Sequence, residues 1–157
     1  MAKFDLDAFL PYQLAVLSSR VSREFASLYR QKFGISIPEW RVIAHLSQSG
    51  SVSVREIHQK VDMDKSKVSR AATRLEKAGY ISKRLNPDDR RLVELALTDK
   101  GRAMVEEITP MARAYEERVL AALGPEAACF RAALERLLAG ETHQEEAAAP
   151  ARAASAQ

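Results

Sequence analysis

Between Asp7 and Phe33, apolar residues recur at Leu10, Leu14, Leu17, Val21, Phe25 and Leu28, in steps of 4, 3, 4, 4 and 3. That spacing puts them on one face of a helix. Pro11 belongs to the first turn, where a missing N–H does no harm, and Gly34 suits a left-handed C-cap. Three shorter helices are predicted next. Ser36-Ile37-Pro38-Glu39 reads as a capping box, followed by Trp40, Val42, Ile43 and Leu46 on the inner side. Ser53-Val54-Arg55-Glu56 is a second capping box, with Val54, Ile57 and Val61 facing inward. Asp64 caps a third helix that runs to Ala78 and stops at Gly79.

The period then changes from that of a helix to that of a strand. Ile81–Leu85 and Leu92–Leu97 flank the turn-rich Asn86-Pro87-Asp88-Asp89-Arg90, which predicts a hairpin with a charged tip. Thr98-Asp99 opens a long helix through Val105, Ile108, Ala112, Tyr115, Val119 and Leu123, with Pro110 expected to kink it. After Gly124-Pro125, Glu126–Leu138 predicts a last amphipathic helix through Phe130, Leu134, Leu137 and Leu138. Residues 140–157 are rich in Ala, Glu and Pro with no large apolar side chain, so they are expected to be a disordered tail.

Composition narrows the classes. The 157 residues suit one domain, and no apolar run approaches the ~20 residues of a membrane span. The chain meets Asp5 before any apolar core, so export is not expected and the cytoplasm is. One cysteine, Cys129, excludes an internal disulfide. It is read as an inert, buried thiol on the last helix. His45, His58 and His143 lack metal-ligand spacing, so no metal or other cofactor is expected. No glycine-rich phosphate loop, nucleophile elbow or paired-acid constellation is present, which points away from an enzyme.

Charge changes the picture most. The net charge is only +3, yet residues 55–91 hold eleven Lys/Arg against six acids, an excess of +5. Residues 101–157 carry six Arg against nine Glu, or −3. A compact basic segment fits a phosphate-backbone binder. A solvated helical surface carries such charge equally well, and the order of elements decides between them. Two short capped helices joined by a tight turn form a helix-turn-helix. On a wheel of the second one, Val68, Ala71, Ala72 and Leu75 lie on one side, and Ser66, Ser69, Arg70, Thr73 and Lys77 on the other. Arg70 is the candidate guanine reader, Ser66, Ser69 and Thr73 are candidate groove contacts, and Lys67 and Arg74 flank the backbone. The hairpin that follows is the wing, with Arg84, Arg90 and Arg91 as its cations. Asp89 is placed to hold the Arg91 guanidinium by a bidentate pair.

Pro38-Glu39-Trp40, Val68-Ser69-Arg70, Leu75-Glu76-Lys77-Ala78-Gly79-Tyr80-Ile81, Asn86-Pro87-Asp88-Asp89-Arg90-Arg91 and Leu97-Thr98-Asp99-Lys100-Gly101 stand in this order along the chain. Together they resemble the multiple-antibiotic-resistance regulator (MarR) family of winged-helix transcription factors, from about Phe9 to Leu138. The resemblance implies a mainly α fold with a small β-hairpin. In it a winged helix-turn-helix of residues 35–98 is flanked by dimerisation helices in 1–34 and 99–139. It implies an obligate homodimer on a pseudo-palindromic double-stranded DNA operator, with Arg91 entering the minor groove. The long apolar faces at the two ends of the chain support the dimer independently. It further implies a small-molecule effector, an aromatic acid or aryl-CoA, bound between the dimerisation helices and the DNA-binding domain. Arg20, Arg23, Trp40, Arg41, His45, Met104, Met111 and Tyr115 lie on elements that would meet there. A constitutive winged-helix accessory protein without an effector is the alternative.

Overall fold

The computed structural model describes the backbone of residues 4–148 and the side chains of residues 4–140. The elements are α1 (Leu10–Phe33), α2 (Ile37–Ser49), β1 (Val52–Ser53), α3 (Val54–Lys60), α4 (Lys65–Lys77), β2 (Ile81–Leu85), β3 (Val93–Leu97), α5 (Asp99–Leu123) and α6 (Ala127–Ala148). A 3₁₀ turn, Gly124–Glu126, separates the last two helices. The chain divides into two compact units, Met1–Arg113 and Ala114–Gln157.

Local chemistry explains why the first unit's elements begin and end where they do. Gly34 closes α1 at φ 66°, and its N–H bonds the Arg30 carbonyl. Both capping boxes form. Ser36 Oγ accepts from Glu39 N while Glu39 accepts from Ser36 N, and Ser53 and Glu56 repeat the exchange at α3. Asp64 Oδ1 accepts from Lys67 N at 2.7 Å and opens α4. Between α3 and α4 the chain turns at Asp62, whose φ of 48° is the left-handed region that Asp tolerates better than most residues.

The sheet has three antiparallel strands in the order β1-β3-β2. The predicted hairpin is present, with Ile81 opposite Leu97 and Leu85 opposite Val93. A third short strand joins it, Val52 opposite Leu95 and Ser53 opposite Glu94. The core gathers Ala26 and Tyr29 of α1, Val42, Ile43 and Leu46 of α2, Ile57 of α3, Val68, Ala71, Ala72 and Leu75 of α4, Ile81 and Leu95 of the sheet, and Met104 and Ile108 of α5. The first compact unit thus reaches through the winged helix-turn-helix into α5 as far as Arg113. Phe25, Tyr29 and Trp40 form an aromatic cluster with ring centroids 5.2–5.5 Å apart. Burial there pushes the Tyr29 phenol up to about 12.

In the second unit, α5 continues from the first, having passed unbroken through Pro110, and α6 follows the 3₁₀ turn. Arg131 pairs with Glu116 at 2.8 Å, and Arg118 lies over the Tyr115 ring. Two expectations change. Cys129 is exposed, not buried, because the face of α6 on which it was placed is itself uncovered in this unit. Residues 140–148 continue α6, since Ala and Glu, strong helix formers, make up most of that stretch. The rest of the expected tail, 149–157, lies outside the described residues.

Candidate nucleic-acid interface

The helix-turn-helix places α4 with one face inside and one outside. Val68, Ala71, Ala72 and Leu75 are buried, while Ser66, Lys67, Ser69, Arg70, Thr73, Arg74 and Lys77 are exposed. No large apolar side chain interrupts that outer face, which offers hydroxyls and cations, with the exposed Glu76 carboxylate near its C-terminal end paired to Lys83. Arg74 reaches back toward Glu39 of α2 at 3.8 Å, although its side chain is 73% exposed. Lys67 pairs with the capping Asp64 at 3.3 Å. Asp64 is thereby held below the ordinary carboxylate range, chiefly by the Lys67 backbone N–H.

Two side chains, Asn86 and Asp89, order the wing tip. Asn86 Oδ1 accepts from the N–H groups of Asp88 and Asp89 at 2.8 and 2.9 Å, and its Nδ2 donates to Glu94 at 2.6 Å. Such Asx geometry folds the turn locally, and the Glu94 bond ties it to β3. Arg84, Arg90 and Arg91 are all exposed on this hairpin. Asp89 behaves differently from expectation. Its Oδ1 accepts from the Arg91 backbone N–H at 3.0 Å, not from the guanidinium. A carboxylate two residues upstream is within one turn of that amide, and the shorter path wins. Asp89 thus shapes the main chain that carries Arg91.

The turn after α4 is clamped by the start of α5. Thr98 Oγ1 donates to the Gly79 carbonyl at 2.7 Å, and the Thr98 N–H bonds the Tyr80 carbonyl at 3.1 Å. Lys100 Nζ donates to the Ala78 carbonyl at 2.7 Å and lies over the Tyr80 ring. Gly101 sits so close that a Cβ would stand 2.1 Å from the Tyr80 oxygen. The Leu97-Thr98-Asp99-Lys100-Gly101 run is therefore a set of contacts that fixes the end of α4 against α5.

The family profile described as MarR family matches residues 35–93, the stretch from α2 to the start of β3. The HTH-type transcriptional repressor Rv2887 of Mycobacterium tuberculosis is 31% identical over 136 residues, covering 83% of this chain and 94% of the relative. The chain belongs to the MarR family. The crystal structure of the MarR family regulator SPO1453 from Silicibacter pomeroyi DSS-3 matches at 30% identity with a TM-score of 0.73, over 87% of this chain and 97% of that one. The HTH-type transcriptional repressor MdtR of Bacillus subtilis is 34% identical over 96 residues, 61% of this chain and 62% of MdtR, so less than two thirds of that relative is matched.

The effector candidates of this MarR chain are scattered in their surroundings. Arg20 and Arg23 are exposed on α1, Arg41 and His45 are half-buried on α2, and Met104 is buried and Met111 half-buried on α5. Trp40 is packed in the aromatic cluster with Phe25 and Tyr29. Tyr115 belongs to the second unit. A groove of about 480 Å³ lies between α2, β3 and α5, lined by Leu46, Leu97, Val105, Arg102 and their neighbours, and by none of these candidates. Among the described residues, no cluster of His, Cys, Asp and Glu suits a metal, and no helix is long and apolar enough to cross a membrane.

Sequence reasoning missed two participants. Lys83 of β2 donates to Thr73 Oγ1 at 3.3 Å and pairs with Glu76 at 2.9 Å, tying the wing's root to α4. Glu94 receives Asn86 on one oxygen and Ser51 on the other. Strand parity held a signal for Lys83, which shares a face with the buried Ile81.

Proposed function

We propose that this chain acts as a homodimeric transcriptional repressor that binds a pseudo-palindromic operator and is released by a small aromatic or aryl-CoA effector. The outer face of α4, through Ser66, Lys67, Ser69, Arg70, Thr73 and Arg74, enters the major groove. The wing, through Arg84, Arg90 and Arg91 and shaped by Asp89, reaches the adjacent minor groove, where A·T tracts concentrate negative potential. The observation that carries this reading is a polar and cationic α4 face beside a cationic, internally braced hairpin in one compact unit. Family membership supports it.

The dimer is supported by what the single chain leaves uncovered. Phe4, Leu6, Phe9, Leu10, Tyr12, Leu14, Val16 and Leu17 are exposed at one end of the chain, and Phe130, Leu134, Leu137 and Leu138 at the other. Apolar surface of that extent normally marks an association face. Two-fold pairing sets the recognition helices one DNA turn apart, about 34 Å.

One observation favours the second reading, a constitutive DNA-binding accessory protein. Trp40 is engaged in packing against Phe25 and Tyr29. The two readings separate in one titration. An operator fragment is selected from random duplexes, and benzoate, salicylate and an aryl-CoA thioester are added to the complex. Loss of operator affinity with any of them supports the repressor with an effector. Unchanged affinity with all of them favours the constitutive reading.

A further inference from the structure

Thr73 lies on the exposed side of α4, four residues past Ser69. Its hydroxyl is already engaged. Oγ1 donates its single hydrogen to the Ser69 carbonyl at 3.0 Å and accepts from Lys83 Nζ at 3.3 Å. Lys83 is itself held by Glu76 at 2.9 Å. A threonine hydroxyl has one donor hydrogen and two acceptor lone pairs, so this one has nothing left to donate. Guanine O6 and N7, adenine N7 and thymine O4 are all acceptors in the major groove, and a hydroxyl in this state bonds none of them.

What remains for a base edge is its Cγ2 methyl and one acceptor lone pair, which only an adenine or cytosine amino group can fill. The one apolar feature on a major-groove base edge is the C5 methyl of thymine, and a threonine methyl is among its usual partners. On the reading of α4 as the groove helix, on which this inference rests, we propose that Thr73 selects a T·A pair in each half-site by methyl–methyl contact. Ser69 and Lys83 hold its hydroxyl away from the bases. Thr73 is then a specificity residue that reads by apolar contact, beside Arg70 reading by hydrogen bonds.

The experiment uses the full chain and duplexes that it enriches from a random library. Each thymine of the enriched site is replaced in turn by uracil, which deletes only the C5 methyl. Removing one methyl from an apolar contact weakens binding about fourfold, and one thymine position per half-site is expected to show this. Thr73→Val keeps the methyl and keeps the thymine-over-uracil preference. Thr73→Ser keeps the hydroxyl and binds both duplexes alike. The reverse pattern, preference kept by serine and lost by valine, means that the hydroxyl reads the base and overturns the inference. So does enrichment without any Thr73-dependent uracil effect, which leaves the DNA reading intact. If the library enriches nothing, the DNA reading fails and this inference fails with it.

Discussion

Arg70 and Arg91 are both exposed cations, and the proposed DNA-binding reading gives them different work. Arg70 projects from a helix whose inner face is locked in the core, so its guanidinium has a fixed base from which to address a base edge. A bidentate guanine contact discriminates by ~1–3 kcal/mol, and Arg70→Ala should flatten the preference among operator variants while sparing general affinity. Arg91 sits on a tip braced by Asn86 and Asp89. Arg91→Ala should weaken all duplexes about equally and reduce the slope of log affinity against log salt by ~1. Binding isotherms on a set of operator variants at several salt concentrations check both, and unchanged binding in both variants would displace the DNA surface from these elements. At Gly101 the constraint is purely steric. A Cβ there meets the Tyr80 oxygen at 2.1 Å, between two backbones that are bonded to one another. Gly101→Ala should lower stability by about 1–3 kcal/mol, as overpacked interiors do, seen as a lower urea midpoint; an unchanged midpoint would show that the clamp yields.

The helix starts make stability depend on acid. Glu56 is held below its ordinary 4.5 by the Ser53 N–H and then the Ser53 hydroxyl, and Asp64 below its ordinary 3.8 chiefly by the Lys67 N–H. A carboxyl with a depressed folded-state pKa stabilises the fold fully above its unfolded value, and loses that contribution as pH falls through the folded one. Acidification below about pH 4.5 should therefore loosen the starts of α3 and α4, modestly because both groups are exposed to solvent. Glu56→Gln and Asp64→Asn should flatten the acid limb of a thermal-midpoint profile; an identical limb in the double variant would remove these caps from the account. Both capping boxes were legible in the sequence because their partners are three residues apart. The hairpin was legible because Asn86-Pro87-Asp88-Asp89 states its turn locally. Strand β1 was not, since two residues are too few to show alternation and Val52–Ser53 is defined by its partners Leu95 and Glu94. Strand parity puts Lys83 on the face of Ile81, but its particular partners, Thr73 and Glu76, depend on how β2 lies on α4. Asp89 was placed correctly in the chain and given the wrong atom of Arg91, because spacing does not tell a backbone amide from a side chain two residues on. The helical continuation past Gly140 was hidden by reading composition for burial alone, when helix propensity also acts there.

For the molecule as a whole, the uncovered residues carry the argument. Of the apolar stripe predicted for α1, Leu10, Leu14 and Leu17 stay exposed and Val21, Phe25 and Leu28 are half-buried, while the fully buried residues of the helix are Ala26 and Tyr29 beside that stripe. On α6, Leu134, Leu137 and Leu138 are likewise exposed. On the proposed reading, a second copy supplies the cover and brings two recognition helices to one duplex, as the operator symmetry requires. Leu14→Glu combined with Leu137→Glu should leave each winged unit folded, since neither residue is in the core, yet separate the copies and cut operator affinity steeply. Circular dichroism checks the first outcome and gel-shift titration the second. The most direct measurement is sedimentation equilibrium of the full chain, alone and with a duplex enriched by it, at low salt. The account predicts two chains per particle without DNA and two chains per duplex with it. A monomer that leaves the duplex sedimenting alone would contradict it.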